Sequence, residues 1–174
     1  MDALASRVVE LGWAERHPVD DDADALRGLI GGVYAEYPGC VLDADGVDAD
    51  LAAWASHLAR AGGTGWLVHD AAGLVACVGV APTESPTGTA GACVELKRLY
   101  VRADARRRGL GRALVGRVED WARAHGATTV VLWSDDRFTD AHRLYERCGY
   151  RDTGARRDLH DPSDTTEIEF VRTL

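Results

Sequence analysis

The feature that most constrains the fold is a short glycine-rich segment between a predicted strand and a predicted helix. Residues 94–101 are mostly apolar, whereas residues 110–125 repeat apolar side chains at helical spacing. Between them the sequence reads Arg-Arg-Arg-Gly-Leu-Gly at positions 106–111. A strand that feeds a glycine turn opening a helix brings unpaired amides and the positive helix end to one spot, where phosphate binds. This arrangement predicts an enzyme that uses a phosphorylated cofactor.

The residues around the glycines exclude two better-known phosphate loops. A Walker loop needs Lys and Ser or Thr after its second glycine, but Gly111 is followed by Arg112. The dinucleotide fingerprint needs a small residue where this chain has Leu114. One glycine of the pair is expected to adopt backbone angles closed to other residues, and the other to let an anion approach. A glycine turn with a solvated arginine cluster remains the alternative.

Composition limits the classes of partner. The chain has 174 residues, 46% of them hydrophobic, which fits one domain over residues 1–174. The formal net charge of −8 argues against nucleic-acid binding. Aspartates concentrate before residue 51, where they suit a cationic substrate, helix starts or solvated turns equally well.

Cysteine spacing and hydropathy bear on metals and location. The four cysteines form no C-x-x-C pair and lie at no zinc spacing to histidine, so we expect no metal site. No apolar run reaches the length of a bilayer span, and the first residues lack signal-peptide features. We therefore expect reduced thiols, no membrane association and a cytoplasmic protein; a homodimer is an allowed assembly.

The remaining pattern predicts a mixed α+β fold with a mainly antiparallel sheet flanked by helices. Residues 8–13 are predicted as a first strand, followed by a helix ended by Pro38-Gly39 and a second helical pattern over residues 47–58. A hairpin over 66–80, a loop over 82–91 and a strand over 93–101 precede the phosphate loop. Thr139 is expected to N-cap a helix between strands over 128–133 and 150–158. With a last strand at 166–172, the expected order is β-α-α-β-β-β-α-β-α-β-β.

This order, with Arg-x-x-Gly-x-Gly after strand four and Ala-x-x-Leu-Tyr-x-x-x-Gly-Tyr after strand five, resembles the GNAT superfamily of N-acetyltransferases. The resemblance implies an acyl-CoA N-acyltransferase-like fold in which loop amides hold the pyrophosphate of acetyl-CoA. It also implies an exposed strand edge for the pantetheine arm and a sheet that splays near its middle. The cofactor-binding residues implied are Leu99, Tyr100, Val101, Arg106, Arg107, Arg108, Gly109, Leu110, Gly111 and Arg112.

Tyr145 is the candidate general acid, because the tyrosine of the family's Leu-Tyr pair commonly sits near the sulfur of acetyl-CoA. A thiolate leaving group has a conjugate acid with a pKa near 8.5, so a hydroxyl can protonate it. The alternative is that Tyr145 is only a core aromatic residue.

Glu95 is the candidate general base, since a glutamate around this position deprotonates the amine in many family members. An alkyl amine with a pKa near 10.4 is protonated at neutral pH and needs such a base. Alternation along the strand puts Glu95 and Lys97 on one face. Glu95 therefore has a second possible role, which is only to pair with Lys97 or Arg98.

One position departs from the family pattern. Relatives often carry asparagine seven residues before the motif tyrosine, where this chain has Phe138. The polar contact of that asparagine is then lost, or taken over by Ser134 or Thr139.

The expected activity is acetyl transfer from acetyl-CoA to a primary amine by direct attack in a ternary complex. A covalent route lacks support, because Cys148 at the predicted helix end has no evident basic partner. The acceptor can be a small-molecule amine or a peptide amine. A non-catalytic acyl-CoA sensor or interaction module is the competing hypothesis.

Overall fold

A computed structural model describes residues 3–84 and 91–174, in which seven strands form one sheet in the order β1-β2-β3-β4-β5-β7-β6. Neighbouring strands are antiparallel except β4 and β5, which are parallel. The predicted mixed, mainly antiparallel fold class is confirmed. The strands are β1 (Ala14–Arg16), β2 (Thr64–Asp70), β3 (Gly73–Thr83), β4 (Ala92–Val101), β5 (Ala127–Asp135), β6 (Arg151–Asp158) and β7 (Thr166–Thr173).

Helices cover both faces of the sheet. One core cluster joins α1 and α4 to the sheet, with Leu4, Leu114 and Val130 all buried. A second cluster packs α2 and α3 over β2 and β3 through Ile30 and Trp54. The helices are α1 (Ala3–Glu10), α2 (Ala23–Tyr34), α3 (Trp54–Arg60), α4 (Leu110–Ala124) and α5 (Thr139–Arg147).

The strand predicted over residues 8–13 is wrong, because the chain begins there with helix α1 and only then forms the three-residue β1. Leu4 and Val8 lie one helical turn apart and bury their side chains in the core. The apolar residues of this short stretch therefore follow helical spacing. The observed order is therefore α1 followed by the predicted order of helices and strands, β-α-α-β-β-β-α-β-α-β-β.

Four smaller predictions also need correction. Helix α2 ends at Tyr34, before Pro38-Gly39, and the chain continues in turns. The pattern over 47–58 is a 3-10 turn (Ala49–Ala53) that leads into α3. Thr139 is the first residue of α5, whose cap position is Phe138 and carries no side-chain cap. In the loop predicted over 82–91, residues 82 and 83 belong to β3, and residues 85–90 lie outside the described residues.

Strands β4 and β5 separate partway along their length. Their pairing runs as far as Leu96 opposite Leu132, and residues 97–101 have no partner on β5. A bulge lies at this point, because the β3–β4 register shifts between Cys77 and Gly79 and Arg98 has a φ of 55°. The unpaired main-chain groups of β4 therefore face a gap between the two strands, as the resemblance implied.

The residue just before helix α4 is a glycine with backbone angles that other residues rarely adopt. Gly109 has φ 81° and ψ −3°, in the left-handed region. Gly116, in the body of α4, has no heavy atom within 4 Å of the position that a Cβ would occupy. The two glycines thus make a matched pair for testing backbone strain.

We expect Gly109→Ala to lower the free energy of unfolding by about 1–2 kcal/mol, since a left-handed alanine is strained. Gly116→Ala should raise it by about 0.5–1 kcal/mol, because alanine loses less backbone entropy in a helix. Urea unfolding of both variants measures the difference. Equal effects of the two substitutions would contradict the role assigned to Gly109.

Candidate active site

The main-chain amides at the start of α4 are free to bind a ligand. The amides of residues 107–112 donate to no acceptor within the described ranges 3–84 and 91–174. The ladder of hydrogen bonds resumes at the Ala113 amide, which donates to the Gly109 carbonyl at 3.1 Å. These six open amides lie in the first turn of a fifteen-residue helix and just before it, where unpaired amides and the positive helix end favour an anion.

The two glycines of the loop serve different purposes. Gly109 provides the positive φ, as predicted for one of the pair. At Gly111 a Cβ would lie 3.0 Å from Cδ2 of Leu144, so this glycine lets α5 pack closely against α4. Packing is thus a reason for glycine at position 111 that the sequence did not reveal, and the role of Gly111 in anion approach stays a prediction.

The loop arginines point in different directions. Arg106 donates from Nε to the Val101 carbonyl at 2.9 Å and pairs with Glu36 through both terminal nitrogens, at 2.6 and 2.7 Å. Arg108 lies over the ring of Trp13, with Cζ 5.9 Å from the ring centroid.

A further cation reaches this loop from α1, a helix that the sequence analysis missed. The guanidinium of Arg7 lies beside Gly109, where Nε is 3.3 Å from the position of an added Cβ.

A cavity of about 1150 Å³ connects the loop to the gap between β4 and β5. Leu110 does not line it; its side chain is buried in the core, so only its amide faces the loop. Arg108 is also absent from the lining. The predicted cofactor residues that line the cavity are Leu99, Tyr100, Val101, Arg106, Arg107, Gly109, Gly111 and Arg112.

Tyr145 lines this cavity and is 5% exposed. Its ring packs near Phe170 and Tyr150, and its hydroxyl contacts no hydrogen-bonding group of the described residues. Burial raises the pKa of Tyr145 above its usual value of 10, so the hydroxyl stays protonated. Tyr145 is therefore buried, as a core aromatic residue would be, and it also has the unbonded hydroxyl that a general acid needs.

Glu95 also lines the cavity, and its carboxylate pairs with the Lys97 ammonium at 2.7 Å. The ion pair that the sequence analysis weighed against a catalytic role is thus present. The ion pair does not bury Glu95 completely, because its side chain remains 17% exposed. The second partner considered, Arg98, turns away and pairs with Asp48 and Asp50.

Three further lining residues, Trp133, Arg157 and Glu167, follow from no sequence pattern; together with Glu95 they form the part of the cavity that we call the acceptor end, after the substrate expected there. Glu167 on β7 accepts a hydrogen bond from Nε of Arg157 on β6 at 2.6 Å, and the Arg157 guanidinium stacks on Trp133 of β5 at 4.3 Å. Burial raises the pKa of Glu167, Arg157 opposes that rise, and the charge of Glu95 adds to it. These residues come together only through strand pairing, which no local sequence motif reports.

Two loops meet at the same end of the cavity. The Val41 amide donates to the Ser163 hydroxyl at 2.9 Å, which joins the loop after α2 to the β6–β7 loop. Arg137 holds the second loop by donating to the Ser163 carbonyl at 3.1 Å while pairing with the buried Asp135. The acceptor end therefore has walls on both sides of the sheet gap.

The position of the family asparagine is filled by an aromatic cluster. Phe138 packs against Tyr37 and Tyr34, with ring centroids 4.6 and 6.0 Å away. Of the two suggested polar substitutes, Ser134 lines the cavity, whereas Thr139 is exposed and does not. Packing between α2 and α5 thus occupies this position.

The cysteines do not supply an activated nucleophile. All four are free and buried. Arg112, Arg172 and Arg147 lie near enough to Cys148 to favour its thiolate, which corrects the expectation that it has no basic neighbour. Burial outweighs them and raises the pKa of the Cys148 thiol.

Residues 3–84 and 91–174 contain neither a cluster of metal ligands nor a helix able to cross a membrane. No cluster of three or more His, Cys, Asp or Glu side chains in this part of the chain is arranged to hold a metal ion. Its helices are too short or too polar to span a bilayer.

Solved structures share the fold. A GNAT acetyltransferase from Staphylococcus aureus Mu50 matches with a TM-score of 0.74 at 18% identity, over 93% of this chain and 99% of that one. The protein yncA of Salmonella typhimurium, solved with its cofactor acetyl-CoA, matches with a TM-score of 0.67 at 19% identity, over 93% and 94%.

Sequence relatives and a family model agree with the structural match. Human N-acetyltransferase 8 is 31% identical over 99 residues, which are 57% of this chain and 43% of that protein. The matched part spans less than half the length of the first curated relatives, at 43%, 40% and 44%. The model of the acetyltransferase (GNAT) family matches residues 32–150. The chain therefore belongs to the acetyltransferase (GNAT) family.

Proposed function

We propose that this chain transfers the acetyl group of acetyl-CoA to a primary amine by direct attack in a ternary complex. The observation that carries the proposal is one cavity lined by Tyr145, by residues 97–101 on the unpaired edge of β4, and by four residues of the loop with open amides, Arg107, Gly109, Gly111 and Arg112. A diphosphate at the amides and an extended arm on the strand edge would bring a thioester to that hydroxyl. Family membership supports the same chemistry.

In the proposed reaction, the amine nitrogen bonds to the thioester carbonyl carbon, the carbon–sulfur bond breaks, and the nitrogen gives up its surplus proton to solvent as the amide forms. Glu95 takes a proton from the acceptor ammonium, directly or through water, so that the nitrogen lone pair becomes available. Tyr145 gives its proton to the departing sulfur and regains one from solvent. The raised pKa of Tyr145 suits this role, because the donor stays protonated above neutral pH.

We also propose that residues 1–174 form one N-acetyltransferase domain that works in the cytoplasm. Two observations support this: the chain forms one continuous sheet, and its four cysteines are free thiols. The acceptor is a small-molecule or peptide amine. An amine panel that follows free thiol released from acetyl-CoA tests the activity, and a non-catalytic sensor would bind coenzyme A without releasing thiol.

We expect Tyr145→Phe to lower kcat by about 10²-fold, the smaller effect typical of losing a general acid. The KM for acetyl-CoA should change little, since the hydroxyl acts on the leaving sulfur. Steady-state thiol release measures both constants.

Tyr150→Phe is the matched control, because the Tyr150 hydroxyl is buried, unpartnered and outside the cavity. Its kcat should equal that of the wild type. Full turnover by Tyr145→Phe would remove Tyr145 from the reaction.

We expect Glu95→Gln to lower the rate most at neutral pH and to steepen its rise with increasing pH, because the amide cannot accept the amine proton and only free amine, with a pKa near 10.4, can then attack. In the wild type the rate should rise with pH and show no loss from Tyr145 ionisation below pH 10, because the pKa of that tyrosine is raised. Rate profiles between pH 6 and 10 for both proteins provide the measurement. A profile unchanged by Glu95→Gln would assign the base to another residue, with Glu167 the next to test.

A further inference from the structure

The wall of the cavity carries a guanidinium whose hydrogen-bonding edge is unused. Arg157 donates only from Nε, to Glu167, and the face of the group rests on the Trp133 ring. Its two terminal nitrogens donate to no acceptor in the described part of the chain. The group is 46% exposed and lines the cavity. Arg157 is thus oriented by two neighbours while its terminal edge remains open.

Strand register places this edge on the same face of the sheet as the proposed base. Arg157 lies opposite Glu167, and Glu167 lies opposite Asp135. Glu95 lies opposite Val131, which is four residues before Asp135 on the same strand. Paired residues point to one face, and alternate residues along a strand share it. Both groups consequently face the acceptor end of the cavity.

The two groups have different preferences for a ligand. Glu95 suits an ammonium group, whereas Arg157 is permanently positive and presents a planar fork that matches a carboxylate. A bidentate guanidinium–carboxylate contact is stronger and more directional than a neutral hydrogen bond. A polyamine would place a second positive charge against Arg157, which disfavours that class of acceptor.

We infer that the acceptor amine carries a carboxylate, which the terminal nitrogens of Arg157 hold while the amine lies beside Glu95. This inference rests on the proposed acetyl transfer and narrows its acceptor to amino-acid-type molecules. Trp133 and Glu167 act as positioning residues: the ring supports the guanidinium plane, and the carboxylate fixes Nε so that the free edge turns to the cavity.

The test uses pairs of acceptors that differ only in carboxylate against carboxamide, namely α-amino acids and ω-amino acids with their amides. The kcat/KM for each member is measured by thiol release. The wild type should prefer the carboxylate, and Arg157→Gln should reduce that preference roughly tenfold to hundredfold, as expected for a charge-assisted hydrogen bond. Arg157→Lys should restore part of it, because the charge remains but the fork is lost. Because the preference is the ratio of kcat/KM for the carboxylate to kcat/KM for the carboxamide in one variant, general effects on turnover cancel.

Arg156→Gln is the matched control. Arg156 lies opposite Ile168 on the other face of the sheet, pairs with Asp152 at 2.8 Å and does not line the cavity. This variant should keep the wild-type preference.

Calorimetric titration of the same acceptors into the protein with coenzyme A gives a readout that needs no turnover. If no amine releases thiol but amino-acid carboxylates bind in a way that Arg157→Gln weakens, the carboxylate site at Arg157 stands and the proposed function fails. If amines are acetylated without preference for the carboxylate, or Arg157→Gln keeps the preference, the inference is overturned and the proposed function stands. Absence of both turnover and carboxylate-dependent binding overturns both.

Discussion

The separation of β4 from β5 is the constraint on which the site depends. A parallel pair of strands normally saturates its main-chain groups, and an unpaired stretch inside a sheet must find another partner. Here the pairing stops after Leu96 and Leu132, at a bulge where Arg98 takes a positive φ. The Arg98 side chain then reaches the 2% exposed Asp48 and the neighbouring Asp50. These ion pairs tie the bulge to the segment before α3, so that the gap in the sheet is anchored to the helical layer on one face.

The charged and hydrogen-bonding groups at the two ends of the gap determine what each end can bind. At one end the open amides and the start of α4 favour an anion. At the other end charges of both signs face the cavity in pairs, Glu95 with Lys97 and Glu167 with Arg157. The net charge of −8 therefore says little about the acceptor, because the acidic residues near the cavity are largely matched by cations. Hydrogen-bond donors without a partner, here the terminal nitrogens of Arg157 and the Tyr145 hydroxyl, say more about the acceptor than the net charge does.

Local sequence patterns are sufficient to predict the secondary structure of the central part of the chain. The glycine loop, the periodicity of α4 and the apolar run of β5 depend on neighbours within a few residues, and the structure contains each of them. Helix α1 is not predictable in this way, because it has only eight residues. Its two buried residues, Leu4 and Val8, are recognised as core positions only once they pack on the sheet and α4. Glu167, Arg157 and Trp133 could not be found at all, since β6 reaches β5 only through β7.

The most direct test of this account is an amide-resolved NMR titration of the protein with coenzyme A. The account predicts that the amides of residues 107–112 shift first and saturate together, and that amides of residues 97–101 gain protection from hydrogen exchange as the arm covers the strand edge. Unchanged signals over 107–112 at saturating coenzyme A, or no binding of coenzyme A, would contradict it.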